Sequence, residues 1–75
     1  MNNNQRKRLR AWIQQAREII SILEAIESDE EMVYDNMPEG LQNSTNGLNS
    51  EEAIEKMNEA IECMEEAVDC IEEIL

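Results

Sequence analysis

The residues best suited to chemistry are two pairs of carboxylates, Glu24 with Glu27 and Glu66 with Asp69. Residues three apart share a face of a helix, so each pair has the ExxE or ExxD spacing with which helical enzymes hold divalent cations against nucleotide phosphates. Acidic residues number 18 in 75, however, so pairs at this spacing arise by repetition alone. No lysine or arginine is expected to accompany them as a phosphate clamp, apart from the distant cluster Arg6, Lys7, Arg8 and Arg10. The chain has no histidine, no CxxC pair and no glycine-rich phosphate loop, and Ser21 and Tyr34 lack a base to activate them. Cys63 and Cys70 lie seven residues apart, about 10 Å along a helix, too far to join as a disulfide. Two lone thiols suit a reducing compartment. The expectation is a protein that is not an enzyme, with no catalytic, cofactor-binding or metal-ligating residue.

The same carboxylates sit in a pattern that specifies helices. From Glu52 to Glu72 one heptad is repeated three times, as EAIEKMN, EAIECME and EAVDCIE. Ile54, Met57, Ile61, Met64, Val68, Ile71 and Leu75 recur at steps of three and four, the seam of left-handed helical packing. Ala53, Ala60 and Ala67 widen that seam with small side chains that admit a close neighbour. In the first half of the chain, with Leu9 at heptad position a, the a residues are Leu9, Ala16, Leu23, Glu30 and Met37. Trp12, Ile19, Ile26 and Val33 fall at d, and Ile13, Ile20 and Tyr34 at e, a band about 100° wide. Glu30 is the one carboxylate this register places inward; it tilts out near the end of the stripe, pairs with a basic residue of another chain, or fixes register. The fold class is therefore all-α, with helix one over about 6–35, a connection over about 36–49 and helix two over about 50–75, in a single domain spanning 1–75.

The connection, DNMPEGLQNSTNGLNS, is patterned. Pro38 and Gly40 end the first helix or set off a brief extra turn, for which Asn36 and Glu39 have capping-box spacing. Asn46-Gly47 reads as a tight turn, and Asn49 or Ser50 starts the second helix, Asn49 and Glu52 again having capping-box spacing. Leu41 and Leu48 are expected to fold over the end of the bundle.

A connection of this length returns the chain antiparallel to itself, giving a helical hairpin with heptad packing. The basic cluster at Arg6 to Arg10 then stands beside Glu65, Glu66, Asp69, Glu72, Glu73 and the terminal carboxylate, each cluster being unfavourably placed in the end field of its own helix. Two helices cannot cover stripes this broad; one arm leaves Ile13 and Ile20 on one side and the alanine row on the other. Two hairpins packed face to face would close a four-helix bundle, a homodimer. The expected self-association residues are Trp12, Ile13, Ile19, Ile20, Leu23, Ile26, Ile54, Met57, Ile61, Met64, Val68 and Ile71.

Net charge is −12, and ten acids between Glu51 and Glu73 are opposed only by Lys56. A surface of that sign repels nucleic acid and anionic membrane and suits a basic partner. The face Glu55, Glu59, Glu62, Glu65, Glu66 and Asp69 is the candidate for a basic host protein, and direct nucleic-acid binding is not expected. MNNNQRKRLRAWIQQAREIISIL lacks the unbroken apolar core of a secretion signal, and no stretch is long and apolar enough to span a bilayer. A cytoplasmic protein without a membrane partner is expected.

The stretch LEAIESDEEMVYDNMPEGLQNSTNGLNSEEAIEKMNEAIECMEEAVDCIEEIL resembles the small acidic helical proteins of phages, plasmids and integrated elements of low-GC Gram-positive bacteria. In these, DNMPEGLQ joins two helices ahead of Glu-rich heptads, and that segment is the most specific part of the likeness. The resemblance carries no activity with it, so no functional residue is transferred to these positions. It implies a mobile-element accessory protein that regulates or interferes with a host system. The function expected is thus a non-enzymatic protein–protein interaction or regulatory module. Two alternatives stand beside it: an acidic nucleic-acid mimic that inhibits a DNA- or RNA-binding host protein, and a divalent-metal-dependent nucleotide pyrophosphatase-like enzyme.

Overall fold

The computed structural model describes every residue from Met1 to Leu75 and is all-helical, without strands. Helix α1 runs Asn3–Asp35, α2 is the single turn Glu39–Gln42, and α3 runs Thr45–Glu72. Helix α1 starts earlier than residue 6 because Asn2 and Gln5 form a reciprocal cap. The Gln5 amide donates to the Asn2 side chain at 2.8 Å, and the Asn2 amide donates to Gln5 Oε1 at 3.1 Å. Two of the amides that the first turn would otherwise leave unpaired are satisfied in this way.

The connection is tighter than the sequence pattern suggests. Asn36 caps the C-terminus of α1 rather than opening a new turn with Glu39. Pro38, which cannot continue a helix, starts α2 instead; its carbonyl accepts from the Leu41 amide at 2.8 Å and the Gln42 amide at 3.2 Å. Gln42 Nε2 then donates to the Tyr34 carbonyl at 3.0 Å and ties α2 back to the last turn of α1. Ser44, not Asn49 or Ser50, caps α3, its hydroxyl accepting from the Gly47 amide at 3.5 Å while donating to the Leu41 carbonyl. Asn46-Gly47 is therefore no turn but the first turn of a helix, and Gly47 is there for space. A β-carbon on it would lie 2.1 Å from the Gln42 carbonyl oxygen. Leu41 and Leu48 do not cover the end of the helices; both are about half exposed.

Helices α1 and α3 pack along their length. Tyr34 and Glu30 meet the neighbours Glu51 and Ser50, Glu27 meets Asn58 and Arg17 meets Glu72, so from the connection outward partner numbers fall along α1 as they rise along α3. That is the pairing order of antiparallel helices. At the centre Ala16 and Ile20 bury against Ile61 and Val68, with Ile13, Leu23 and Met64 packed around them. Only seven residues are buried, a thin interior even for a chain of this size.

On α3 the seam is the expected one through Ile71, with Ile54, Met57, Ile61, Met64, Val68 and Ile71 turned toward α1, while Leu75, its last expected member, lies past the helix end and is exposed. On α1 it is not the a/d stripe. The residues turned inward are Leu9, Ile13, Ala16, Ile20, Leu23, Glu27, Glu30 and Tyr34, positions a and e. Trp12, Ile19, Ile26 and Val33, all at d, remain 40 to 53% exposed. Helix α1 carries two stripes that share position a, and α3, with one, covers only one of them. The stripe it covers includes Glu27 and Tyr34, whose polar groups find Asn58 and Glu51 on α3.

Candidate interaction surface

At about 100° per residue, the b positions of α1 lie about 80° to one side of the inward seam and the d positions about 80° to the other. The first of these flanks is polar. Arg17, Ser21 and Glu24 share a groove with Glu65 and Asp69, and Glu31, Tyr34 and Asp35 share one with Glu51, Glu55, Asn58, Glu59 and Glu62. The Arg17–Glu72 ion pair and the Tyr34–Glu51 hydrogen bond cross it. That bond, then burial and the charges of Glu51 and Asp35, push the Tyr34 hydroxyl above its ordinary value of 10.0.

The opposite flank holds Trp12, Ile19, Ile26 and Val33, with Ile22 beside them at 61% exposed. The exposed Ala60 and Ala67 of α3, with half-buried Ala53, lie on this same flank, 90° from their own seam on the side away from Glu51, Asn58 and Glu65. Of the expected self-association residues, Ile13, Ile20, Leu23, Ile54, Met57, Ile61, Met64, Val68 and Ile71 are thus taken up between α1 and α3, while Trp12, Ile19 and Ile26 stay open. Ile13 and Ile20 belong to the seam rather than to a free flank. Ile22 joins the open stripe, and its signal was present in the spacing Ile19, Ile22, Ile26.

The charged clusters also fall differently from expectation. Helix α3 ends at Glu72, which reaches Arg17; Arg10 lies beside Glu72 and Leu75 as expected, while Arg6, Lys7 and Arg8 run past that end. Arg6, Lys7, Arg8 and Arg10 form no ion pair; the two that exist are Arg17–Glu72 and Lys56–Glu59, the latter at 3.1 Å. The hydrogen bond and charge of Glu59, with Glu55 and Glu52 behind it, raise Lys56 above 10.5. Glu55, Glu59, Glu62, Glu65, Glu66 and Asp69 are all exposed and line the acidic outer face of α3.

Of the paired carboxylates, Glu24, Glu66 and Asp69 point outward, whereas Glu27 is 8% exposed. No three acidic or thiol groups converge as a metal site would require. Burial raises the Glu27 carboxyl above its ordinary 4.5, the charge and hydrogen bond of neighbouring Glu31 raise it further, and the Asn58 amide offsets part of this. Glu30 is half-buried and accepts from Ser50 Oγ at 2.6 Å, so its inward position is answered by a serine of the same chain. Glu27 was legible as the residue seven beyond Ile20, once the a/e stripe is taken as the seam. Cys63 and Cys70 are free and exposed. No helix is long and apolar enough to cross a membrane.

No family model matches this chain, and no curated protein or solved structure matches it either.

Proposed function

We propose that this chain is a non-enzymatic interaction module: a helical hairpin that pairs with a second copy as a four-helix bundle and acts as a mobile-element accessory protein with a regulatory role. The observation that carries the reading is the apolar flank Trp12, Ile19, Ile22, Ile26 and Val33, left open beside an interior of four buried apolar side chains. Exposed apolar surface in one contiguous strip marks an association site, and small domains of this size gain stability by oligomerising. The test is the thermal midpoint of the helical signal against protein concentration. Mass action makes the midpoint of a dimer rise with concentration. A midpoint unchanged over a hundredfold range contradicts self-association.

A second reading, mimicry of nucleic acid toward a basic host protein, is favoured by the groove in which Glu31, Asp35, Glu51, Glu55, Glu59 and Glu62 stand together. Reversing Glu62, Glu65 and Asp69 to lysine leaves the seam untouched. On this reading the reversal abolishes competition with duplex DNA for a basic DNA-binding protein; competition that survives it counts against mimicry.

A further inference from the structure

The apolar flank has a ridge and a furrow at matching heights. The observed pairs sum to 89 for Arg17 and Glu72, to 85 for both Glu27 with Asn58 and Tyr34 with Glu51, and to 80 for Glu30 with Ser50, so residues level with one another across α1 and α3 sum to about 85. Ile19 is therefore level with Ala67, Ile26 with Ala60 and Val33 with Ala53. Ile19, Ile26 and Val33 of the α1 ridge thus stand beside small residues of the α3 furrow, while Trp12 is level with Ile74, past the last turn of α3.

A twofold axis parallel to the helices keeps residue heights the same in both copies. It sets the ridge of each copy against the furrow of the other. A twofold across the helices sets ridge on ridge and furrow on furrow instead. Resting on the dimer reading above, we infer that α1 of one copy docks along α3 of the other, Ile19 over Ala67 and Ile26 over Ala60 of the partner copy, with the axis along the bundle.

Three further observations agree. The d residues of the open stripe lie about 80° from the α1 seam and the alanine row about 90° from that of α3, close to the right angle between neighbours in a square bundle. Each contact strip from Trp12 to Val33 is about 32 Å long and about 10 Å wide. Two strips counted on both partners reach about 1,300 Å², inside the range of about 1,200–2,000 Å² for stable interfaces. Charge discriminates as well. This docking brings the unpaired Arg8 at the start of the ridge toward the acidic last turns of the partner's α3, and holds the two α3 helices, each net −9 over residues 51–73, on the diagonal rather than side by side.

Disulfide trapping tests the docking in the full chain with Cys63→Ser and Cys70→Ser. One preparation carries Ile26→Cys, another Ala60→Cys, and a second pair of preparations carries Ile19→Cys and Ala67→Cys. All four positions lie outside the seam, and circular dichroism checks that helicity is kept. Mixing Ile26→Cys with Ala60→Cys, or Ile19→Cys with Ala67→Cys, under mild oxidation should give at least tenfold more covalent dimer than either preparation alone. The mismatched mixture of Ile19→Cys with Ala60→Cys, about 10 Å out of register, should give little. Self-linking of Ile26→Cys or Ile19→Cys that exceeds the matched mixtures, in a protein of dimeric mass, overturns this docking and leaves the dimer. Monomeric mass before oxidation overturns the dimer and the docking with it.

Discussion

The two flanks of the α1–α3 pair face opposite problems. On one, Arg17 meets Glu72, Tyr34 meets Glu51 and Glu27 meets Asn58, so polar groups are answered inside the chain. On the other, Ile19, Ile26 and Val33 have alanines level with them, Trp12 has Ile74, and the strip with Ile22 has no cover. A polar group left at a surface finds water as a substitute partner, whereas an apolar strip gains only from another protein surface. The chain thus completes its polar flank alone and leaves its apolar flank for association. Its seam belongs to a third class, needed for the helices to pair at all.

The most severe way to break this division is to attack the seam. Ile61→Asp puts an unpaired charge among Ala16, Ile20 and Val68, at a cost of several kcal/mol, comparable with the whole stability of a small domain. Helical ellipticity is expected to collapse; ellipticity and mass unchanged would show that Ile61 is not in the core. Next comes the apolar flank, where Ile19→Glu with Ile26→Glu should convert dimer to monomer, with a loss of affinity above about a hundredfold, while helical signal persists at low temperature. Equal loss of folding in both variants would erase the distinction between seam and flank.

The polar flank gives smaller effects. Glu27 binds its proton more tightly in the folded chain than an ordinary carboxylate does, because of burial and Glu31. Just above pH 4.5 the folded state therefore holds more protons than the unfolded one, and stability falls as pH rises through that window and is regained on acidification. Self-repulsion of an acidic chain acts in the same direction. Glu27→Gln should raise the thermal midpoint at pH 7 and flatten its rise between pH 7 and 5, as measured by thermal denaturation at each pH. A lowered midpoint at pH 7 would mean that the Asn58 contact outweighs burial. Smallest of all, Arg17→Ala removes an ion pair whose side chains are about half exposed, and a change below about 1 kcal/mol in urea unfolding is expected. A larger loss would mean that this flank contributes more than screened surface contacts.

Much of this was legible in the residues. The heptads EAIEKMN, EAIECME and EAVDCIE specify α3 and its seam, because Ile, Met and Val recur at steps that match one helical face. Helix α1 was harder, since two apolar stripes share its a positions and sequence alone does not say which of them a partner helix covers. Choosing a/d instead of a/e moved Ile13 and Ile20 outward, Trp12 and Ile19 inward, and hid Glu27. The start of α3 was misplaced for a different reason. Asn-Gly favours turns as an isolated dipeptide, but here glycine is needed only because Gln42 passes too close for a β-carbon. Register across the helices also had to be seen. The end of α3 reaches only as far as Arg10, which leaves Arg6, Lys7 and Arg8 beyond it, and no residue count fixes that offset to within a turn.

The central claim, that the open flank is covered by a second copy, is tested most directly by solution mass from light scattering on a size-exclusion column, at several loading concentrations. A particle of twice 8.7 kDa is expected, becoming monomeric with Ile19→Glu and Ile26→Glu. A helical monomer at every concentration, for the unaltered chain, would contradict it.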